Sequence, residues 1–309
     1  MIRIWFAAGQ GHWPDYAPHL PEALAEAGLR AEIVHEAPDP LAVDYIVFAP
    51  GGDVRDFTPY RRVKAVLNLW AGVERIVGNP TLTQPLCRMV DPGMTEGMVE
   101  WVTGQVLRHH LDLDRWIRGA PGWDQRAAPL ARERTVAMLG LGELGSACAR
   151  ALERLNFRVL GWSRSPKTLE GIATFHGDEG LERVLRAAQM VVTLVPATPE
   201  TTNLLDARRL GWLPRGAVVL NPGRGVLIDD AALLAALGSG HLGHATLDVF
   251  RVEPLPEDHP FRSHPKVTIT PHIAAFTRPM TAARVIAENI RRGEAGEPFL
   301  HLVDRTRGY

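Results

Sequence analysis

Val136-Ala137-Met138-Leu139-Gly140-Leu141-Gly142-Glu143-Leu144-Gly145 is an apolar run that breaks into three glycines spaced G-x-G-x-x-G. Residues 146–155 then carry Ala147, Ala151, Leu152 and Leu155 at helical spacing, so the stretch reads strand, tight turn, helix. In that setting Gly140 permits the turn, Gly142 lets the backbone approach a pyrophosphate, and Gly145 lets helix and strand pack closely. The helix N-terminus adds free N–H groups for an anion. Without the flanking strand and helix the same spacing is a weak signal, about as often an ordinary turn.

Working outward, strands are predicted at 135–140, 157–162, 190–195, 217–221, 244–249 and 267–270, with helices near 145–155, 178–187, 206–211 and 230–238. Strands alternating with helices in this way build a doubly wound parallel sheet. Upstream, residues 1 to about 93 repeat the alternation: strands at 2–8, 31–35, 45–49 and 65–69, and a helix over 18–27 that Gly28 ends. From 94 to 119, Met94, Met98, Trp101, Val102, Val106, Leu111, Leu113 and Ile117 predict one helix of about 25 residues, more than ~35 Å long. Such a helix connects two domains and can meet a second subunit; the alternative is a buried helix inside one domain. Residues 120–133, with Pro121, Gly122, Trp123 and Pro129, form a loop, and a last helix over 277–292 crosses back to the first domain.

The chain has 309 residues, 46% of them hydrophobic, enough to bury the cores of two domains. A formal net charge of −1 without a long run of one sign leaves no electrostatic footprint for nucleic acid or an anionic membrane. No window holds about 18 uninterrupted apolar residues and the first residues lack a signal-peptide pattern, so a cytoplasmic protein is expected. Only two cysteines, Cys87 and Cys148, argue against a disulfide framework. Cys148, near a helix N-terminus, could have a lowered thiol pKa, but its neighbours Ala147, Ala149 and Ala151 favour a small packing residue. No His/Cys/Asp/Glu grouping has the ligand spacing of a zinc or calcium site, and no metal is expected.

The residue that ends the second strand of such a sheet selects between the nicotinamide cofactors, because an acid there binds the ribose 2′-OH and repels a 2′-phosphate. Here that loop is Ser163-Arg164-Ser165-Pro166-Lys167, with no Asp or Glu. Arg164 and Lys167 can hold a phosphate, with Ser163 and Ser165 as hydroxyl donors, so NADP(H) is favoured and NAD(H) is the second choice. The plain alternative is a solvated basic loop.

Later strand ends carry Val195-Pro196, Thr201, and Asn221-Pro222-Gly223-Arg224-Gly225, a glycine-bounded loop that delivers one guanidinium whose flat fork suits a carboxylate. Asp248, Glu253 and His272 follow at further strand ends. A lone histidine is more often structural, and there are twelve; position raises His272 above the others.

Ala71-Gly72-Val73, Gly140 to Gly145, Asn221-Pro222-Gly223-Arg224-Gly225, Leu247-Asp248-Val249-Phe250, Glu253-Pro254 and Thr270-Pro271-His272, taken together and in this order, resemble the D-2-hydroxyacid dehydrogenase family over most of the chain. Within the family, Trp162-Ser163-Arg164-Ser165, Glu253-Pro254-Leu255-Pro256 and Thr277-Arg278-Pro279 are similar to the subgroup of glyoxylate/hydroxypyruvate reductase A. The resemblance implies two doubly wound parallel-sheet α/β domains with a cleft between them. One is a flavodoxin-like substrate domain, 1–93 plus 277–309, into which an NADP-binding Rossmann domain, 94–276, is inserted; a homodimer is implied as well. It implies a small 2-keto or 2-hydroxy acid as substrate, Arg224 on its carboxylate, His272 as acid/base, and Glu253 paired with His272. Ala71 and Gly72 N–H groups would hold the same carboxylate and Asp248 would bind the nicotinamide side. The glycine turn (Gly140, Leu141, Gly142, Glu143, Leu144, Gly145), the 163–167 loop, Val195, Pro196, Thr201, Asn221, Pro222, Gly223, Arg224, His272 and Ala274 would line the cofactor.

The chemistry agrees with those roles. Reduction of a 2-keto acid needs a proton delivered to the carbonyl oxygen as hydride reaches carbon, and a carboxylate beside an imidazole favours its protonated form and fixes its tautomer. An arginine close to that oxygen stabilises the charge that develops there. Two departures stand out. Phe48-Ala49-Pro50-Gly51-Gly52 lacks the tryptophan that the similar reductases carry, whereas Trp70 precedes the carboxylate loop and is expected either to refill that space or to be core. Glu74 stands where the family commonly has Asp. Competing expectations are another acid of the family (lactate-, phosphoglycerate- or branched-chain-type), or a dinucleotide-sensing corepressor-like binding protein.

Overall fold

A computed structural model describes residues 1–119, 122–123 and 125–308; Pro121 of the predicted loop lies outside them. Along the chain run β1 (Ile2–Ala7), α1 (Trp13–Tyr16), α2 (Leu20–Glu26), β2 (Ala31–Val34), β3 (Tyr45–Phe48), β4 (Ala65–Asn68) and β5 (Leu86–Cys87). Then come α3 (Pro92–His110), α4 (Leu113–Ile117), β6 (Thr135–Leu139), α5 (Glu143–Arg154), β7 (Arg158–Ser163), β8 (Ala173–His176), α6 (Gly177–Ala187) and β9 (Met190–Thr193). The remainder is α7 (Ala207–Leu210), β10 (Ala217–Asn221), α8 (Asp230–Gly238), β11 (Leu242–Leu247), β12 (Val267–Ile269) and α9 (Pro279–Ala295). The chain divides into two compact units, Met1–Met94 together with the chain from Phe276 onward, and Thr95–Ala275.

In the first unit five parallel strands lie in the order β2-β1-β3-β4-β5, the flavodoxin-like arrangement. Every residue of β3 and β4 is buried, which is why Tyr45-Ile46-Val47-Phe48 and Ala65-Val66-Leu67-Asn68 read as nearly continuous apolar runs rather than alternating ones. The returning α9 packs against α2 and α1, and Tyr45 Oη on β3 donates to Glu294 at 2.9 Å.

In the second unit seven parallel strands lie in the order β12-β11-β10-β9-β6-β7-β8. Read from the glycine turn this is the nucleotide-binding order 3-2-1-4-5-6 with one strand added. Side chains alternate across β6: Ala137 and Leu139 join Leu181, Val184, Leu185 and Leu233 on one face, whereas Val136 and Met138 join Cys148, Ala149 and Leu152 on the other. Met98, Val102 and Val106 of α3 belong to that second layer. Cys148 is buried there and free, and burial pushes its thiol up to about 12, so the lowered pKa open at the helix N-terminus is overturned by desolvation.

Several elements differ from expectation. The predicted helix of about 25 residues stops at His110, after 19, because Asp112 adopts φ +52; a short α4 follows, and Arg108 grips Asp114 through both oxygens at 2.6 and 2.7 Å. Strands β5 and β8 were not expected: β5 has two residues, and β8 is a partly exposed edge without an apolar run. The last helix begins at Pro279, whose ring suits a first turn, and ends at Gly296 with φ +69.

Candidate active site

The C-terminal ends of β6, β7, β9, β10, β11 and β12 carry every candidate residue of the second unit, the edge where parallel α/β sheets place ligands. At β6, Gly140 has φ +106, and a Cβ there would lie 2.4 Å from Leu194 O. A Cβ on Gly145 would lie 1.9 Å from Gly140 O, so helix and turn can meet only without one. Gly142 is different. It caps α5, and nothing lies within 4 Å of where its Cβ would be, so its backbone is open to an approaching group. Two glycines close the turn and the third leaves the approach clear, with Leu141 buried beneath it and Glu143 and Leu144 opening the helix.

The loop after β7 is tied to that turn. Lys167 Nζ donates to Leu141 O at 2.7 Å, which brings an ammonium beside the glycines, while Arg164 and Ser165 are exposed on the same loop. Ser163, expected as a hydroxyl donor to a phosphate, is buried and donates instead to Ser165 O at 2.8 Å, so it shapes the loop. After β9, Thr201 likewise turns inward: its hydroxyl donates to Pro196 O at 2.6 Å and accepts from Thr198 N, which fixes the bend beyond Val195.

The three adjacent strands β10, β11 and β12 present Arg224, Glu253 and His272 from three successive loops. Asn221 folds the first of these, accepting from Gly223 N at 3.1 Å and donating to Arg224 O at 2.9 Å; Arg224 Nη1 donates to Gly223 O at 2.7 Å. Pro222 and Gly223 are buried within this turn. A Cβ on Gly225 would lie 2.0 Å from the carbonyl carbon of Phe250, so this glycine lets the arginine loop and the Glu253 loop meet backbone to backbone. Arg251 fastens the second loop, donating to Ile228 O at 2.5 Å and to Asn203 Oδ1, and pairing with Asp230 at 3.5 Å.

Glu253 uses both oxygens. Oε1 accepts from Phe250 N at 2.8 Å and Oε2 lies 2.7 Å from His272 Nδ1. An ionised carboxylate only accepts, so Nδ1 carries a hydrogen and Nε2 is left to exchange a proton with a ligand. His272 is 51% exposed at its side chain and adopts φ +55. What holds it there is Asp248, expected beside the nicotinamide but fully buried at 0% exposure. The Asp248 carboxylate accepts from Thr270 Oγ1 at 2.5 Å, Ile273 N at 2.9 Å and Ala274 N at 2.9 Å, and its carbonyl accepts from His272 N at 2.8 Å. The backbone bond from His272 completes the wrap of residues 270–274 around this one acid. Its neighbours Leu247 and Val249 signal a strand end, but nothing local in the sequence says that its oxygens face backbone N–H groups. Arg251 was missed for the same reason, since its partners Asn203, Ile228 and Asp230 are distant in sequence.

In the first unit, Trp70, Ala71 and Gly72 follow β4 directly. Trp70 is 37% exposed, so it is not a core residue, and its carbonyl accepts from Asn68 Nδ2 at 2.8 Å and Met89 N at 3.0 Å. Among the described residues no group of three His, Cys, Asp or Glu could hold a metal ion, and no helix is long and apolar enough to cross a membrane.

A family model described as the NAD binding domain of D-isomer specific 2-hydroxyacid dehydrogenase matches residues 102–274. Among solved structures, a D-isomer specific 2-hydroxyacid dehydrogenase from Xanthobacter autotrophicus Py2, in complex with NADPH and MES, is 42% identical, with 100% of this chain and 99% of that chain covered and a TM-score of 0.90. This chain therefore belongs to the D-isomer specific 2-hydroxyacid dehydrogenase family of oxidoreductases. Within it, similarity reaches an NADPH-dependent glyoxylate/hydroxypyruvate reductase from Sinorhizobium meliloti in complex with NADP and sulfate, at 32% identity, 100% of both chains and a TM-score of 0.85. A probable 2-hydroxyacid dehydrogenase from Rhizobium etli CFN 42, in complex with NADP, HEPES and L(+)-tartaric acid, matches at 32% identity over 100% of both chains with a TM-score of 0.88.

Proposed function

We propose that this chain is an NADPH-preferring reductase of small 2-keto acids, with glyoxylate and hydroxypyruvate as first substrates. The observation that carries the reading is the His272–Glu253 pair at 2.7 Å on the strand end next to the Arg224 loop. Bound NADPH would supply the hydride. His272, held by Glu253 through Nδ1, donates from Nε2 to the substrate's carbonyl oxygen and takes that proton back in the reverse direction. Arg224 binds the carboxylate and stabilises the charge that grows on the carbonyl oxygen.

The residues that would hold the cofactor are Gly140, Leu141, Gly142, Glu143, Leu144 and Gly145 at the pyrophosphate, and Arg164, Ser165 and Lys167 at the 2′-phosphate. Val195, Pro196, Asn221 to Arg224, His272 and Ala274 lie toward the nicotinamide end. The open approach at Gly142 and the ammonium of Lys167 beside Leu141 support this placement. Asp248 acts there by holding residues 272–274, and Ser163 and Thr201 by shaping their loops. The second unit is then the NADP-binding domain. The first is the substrate domain, with Ala71 and Gly72 N–H groups for the carboxylate and Trp70 shaping the substrate side. Two copies pair as a homodimer.

The test is a cofactor comparison: glyoxylate with NADPH, then with NADH, followed by absorbance of the reduced nicotinamide. The expected kcat/KM is at least about tenfold higher with NADPH, the worth of one good charged contact to the extra phosphate. Preference for NADH would overturn the role of Arg164 and Lys167, and no turnover with any 2-keto acid would overturn the activity.

A further inference from the structure

The loop after β4 is held from one side. Thr277 Oγ1 donates to Leu69 O at 2.8 Å, Asn68 Nδ2 and Met89 N both donate to Trp70 O, and Asn68 Nδ2 also donates to Gly72 O at 3.0 Å. In a trans peptide the C=O and the next residue's N–H point in opposite directions. Drawing the Trp70 and Gly72 carbonyls onto Asn68 therefore turns the N–H groups of Ala71 and Val73 the other way. Among the described residues, no carbonyl or side chain accepts from the N–H groups of residues 70–73. With the Ala71 and Val73 N–H groups turned the same way, the loop leaves a concavity that favours an anion.

Asn68 is 1% exposed, and its other amide atom, Oδ1, is buried without a hydrogen-bond partner. Both neighbours of Nδ2 are carbonyls, which fixes which end of the amide faces the loop. An orphaned buried acceptor is costly. An apolar residue would avoid that cost but supply no donor, so the amide at this position is explained by its NH2 group alone.

We propose that Asn68 is a positioning residue: by gathering the Trp70 and Gly72 carbonyls it presents the 71–73 backbone as a preformed nest for the carboxylate of the 2-keto acid. This rests on the function proposed above, and the following experiment separates the two. Calorimetry measures binding of oxamate, an unreactive 2-keto-acid mimic, to NADPH-loaded wild-type protein, Asn68→Ala and Asn68→Ser, alongside glyoxylate kinetics. The expected result for Asn68→Ala is oxamate binding weakened about tenfold and the glyoxylate KM raised by a similar factor, with kcat falling less and NADPH affinity unchanged. Asn68→Ser, which keeps one donor, should fall between, and it carries the test if Asn68→Ala does not fold. Oxamate binding within twofold of wild type, or NADPH affinity lost in parallel, overturns the proposal. A wild-type protein that binds oxamate through Asn68 yet reduces no 2-keto acid would remove the activity and leave the nest.

Discussion

His272 occupies the left-handed region at φ +55, which a non-glycine residue enters only when its surroundings over-determine it. Here Asp248 supplies that constraint through the backbone on both sides of the histidine, and Glu253 sets the ring. Division of labour follows: one acid orients the loop and another orients the imidazole. Replacing His272 by Ala should lower kcat for glyoxylate by about 10²–10⁴-fold, the usual worth of a positioned proton donor, while leaving NADPH affinity nearly intact. Near-wild-type turnover would remove His272 from the reaction. Arg224→Lys keeps the charge but loses the fork, and kcat/KM should fall by about 100-fold, with KM and kcat both affected; an unchanged KM would show that the carboxylate is bound elsewhere. Trp70→Ala should change the ratio of efficiencies on glyoxylate and hydroxypyruvate, and an unchanged ratio would end its pocket role. Strand-end addresses singled out Arg224, Glu253 and His272 in the sequence, and the structure carries them on the loops after three adjacent strands. The partners of Asp248 were not legible, because they depend on which atoms of residues 270–274 surround it.

At the scale of elements, the end of α3 meets β11 and β12 through a seam of buried and half-buried polar side chains. His109 Nε2 lies 2.9 Å from Thr246 Oγ1, His244 Nε2 lies 2.9 Å from Thr268 Oγ1, and the two rings are 4.9 Å apart. Arg108 donates to the same Thr268 at 2.9 Å while paired with Asp114. Burial, then the neighbouring His244 and Arg108, lower the His109 pKa to about 4; burial, then Arg108, lower that of His244 to about 4. Both lie below the unfolded value of 6.5, so between about pH 6.5 and 4 the unfolded chain binds more protons, and stability falls as pH drops through that window. Melting temperature should decline by roughly 5 °C from pH 7 to pH 5. A His109→Gln, His244→Gln double variant should decline less, and a decline parallel to wild type would overturn the seam as its cause. The same seam explains why the predicted long helix was wrong: apolar periodicity continued through Leu111, Leu113 and Ile117, but the turn at Asp112 and the Arg108–Asp114 grip are decided by contacts the periodicity does not encode.

At the scale of the whole molecule, the segment after α3 leaves Leu111, Trp116, Ile117, Trp123 and Leu130 exposed, with Ile117 at 77% and Trp123 at 90%. Large apolar side chains left exposed along one segment favour an interaction surface, and pairing of two copies of the 34.0 kDa chain is the proposal they support. Light scattering should return twice the chain mass at micromolar concentration; a single-chain mass would overturn the homodimer. By itself the sequence determined the class of fold, because strand and helix periods alternate along the chain and burial on both faces leaves unmistakable apolar runs. It also determined the glycine turn, whose three positions have local steric reasons, and the absence of an acid at 163–167. Tertiary structure alone decided the two-residue and edge strands, the break after His110, and the parts played by Asp248, Arg251 and Asn68. Those residues act through partners that are remote in sequence or are backbone atoms, and no residue type announces which backbone carbonyl or N–H group it will meet.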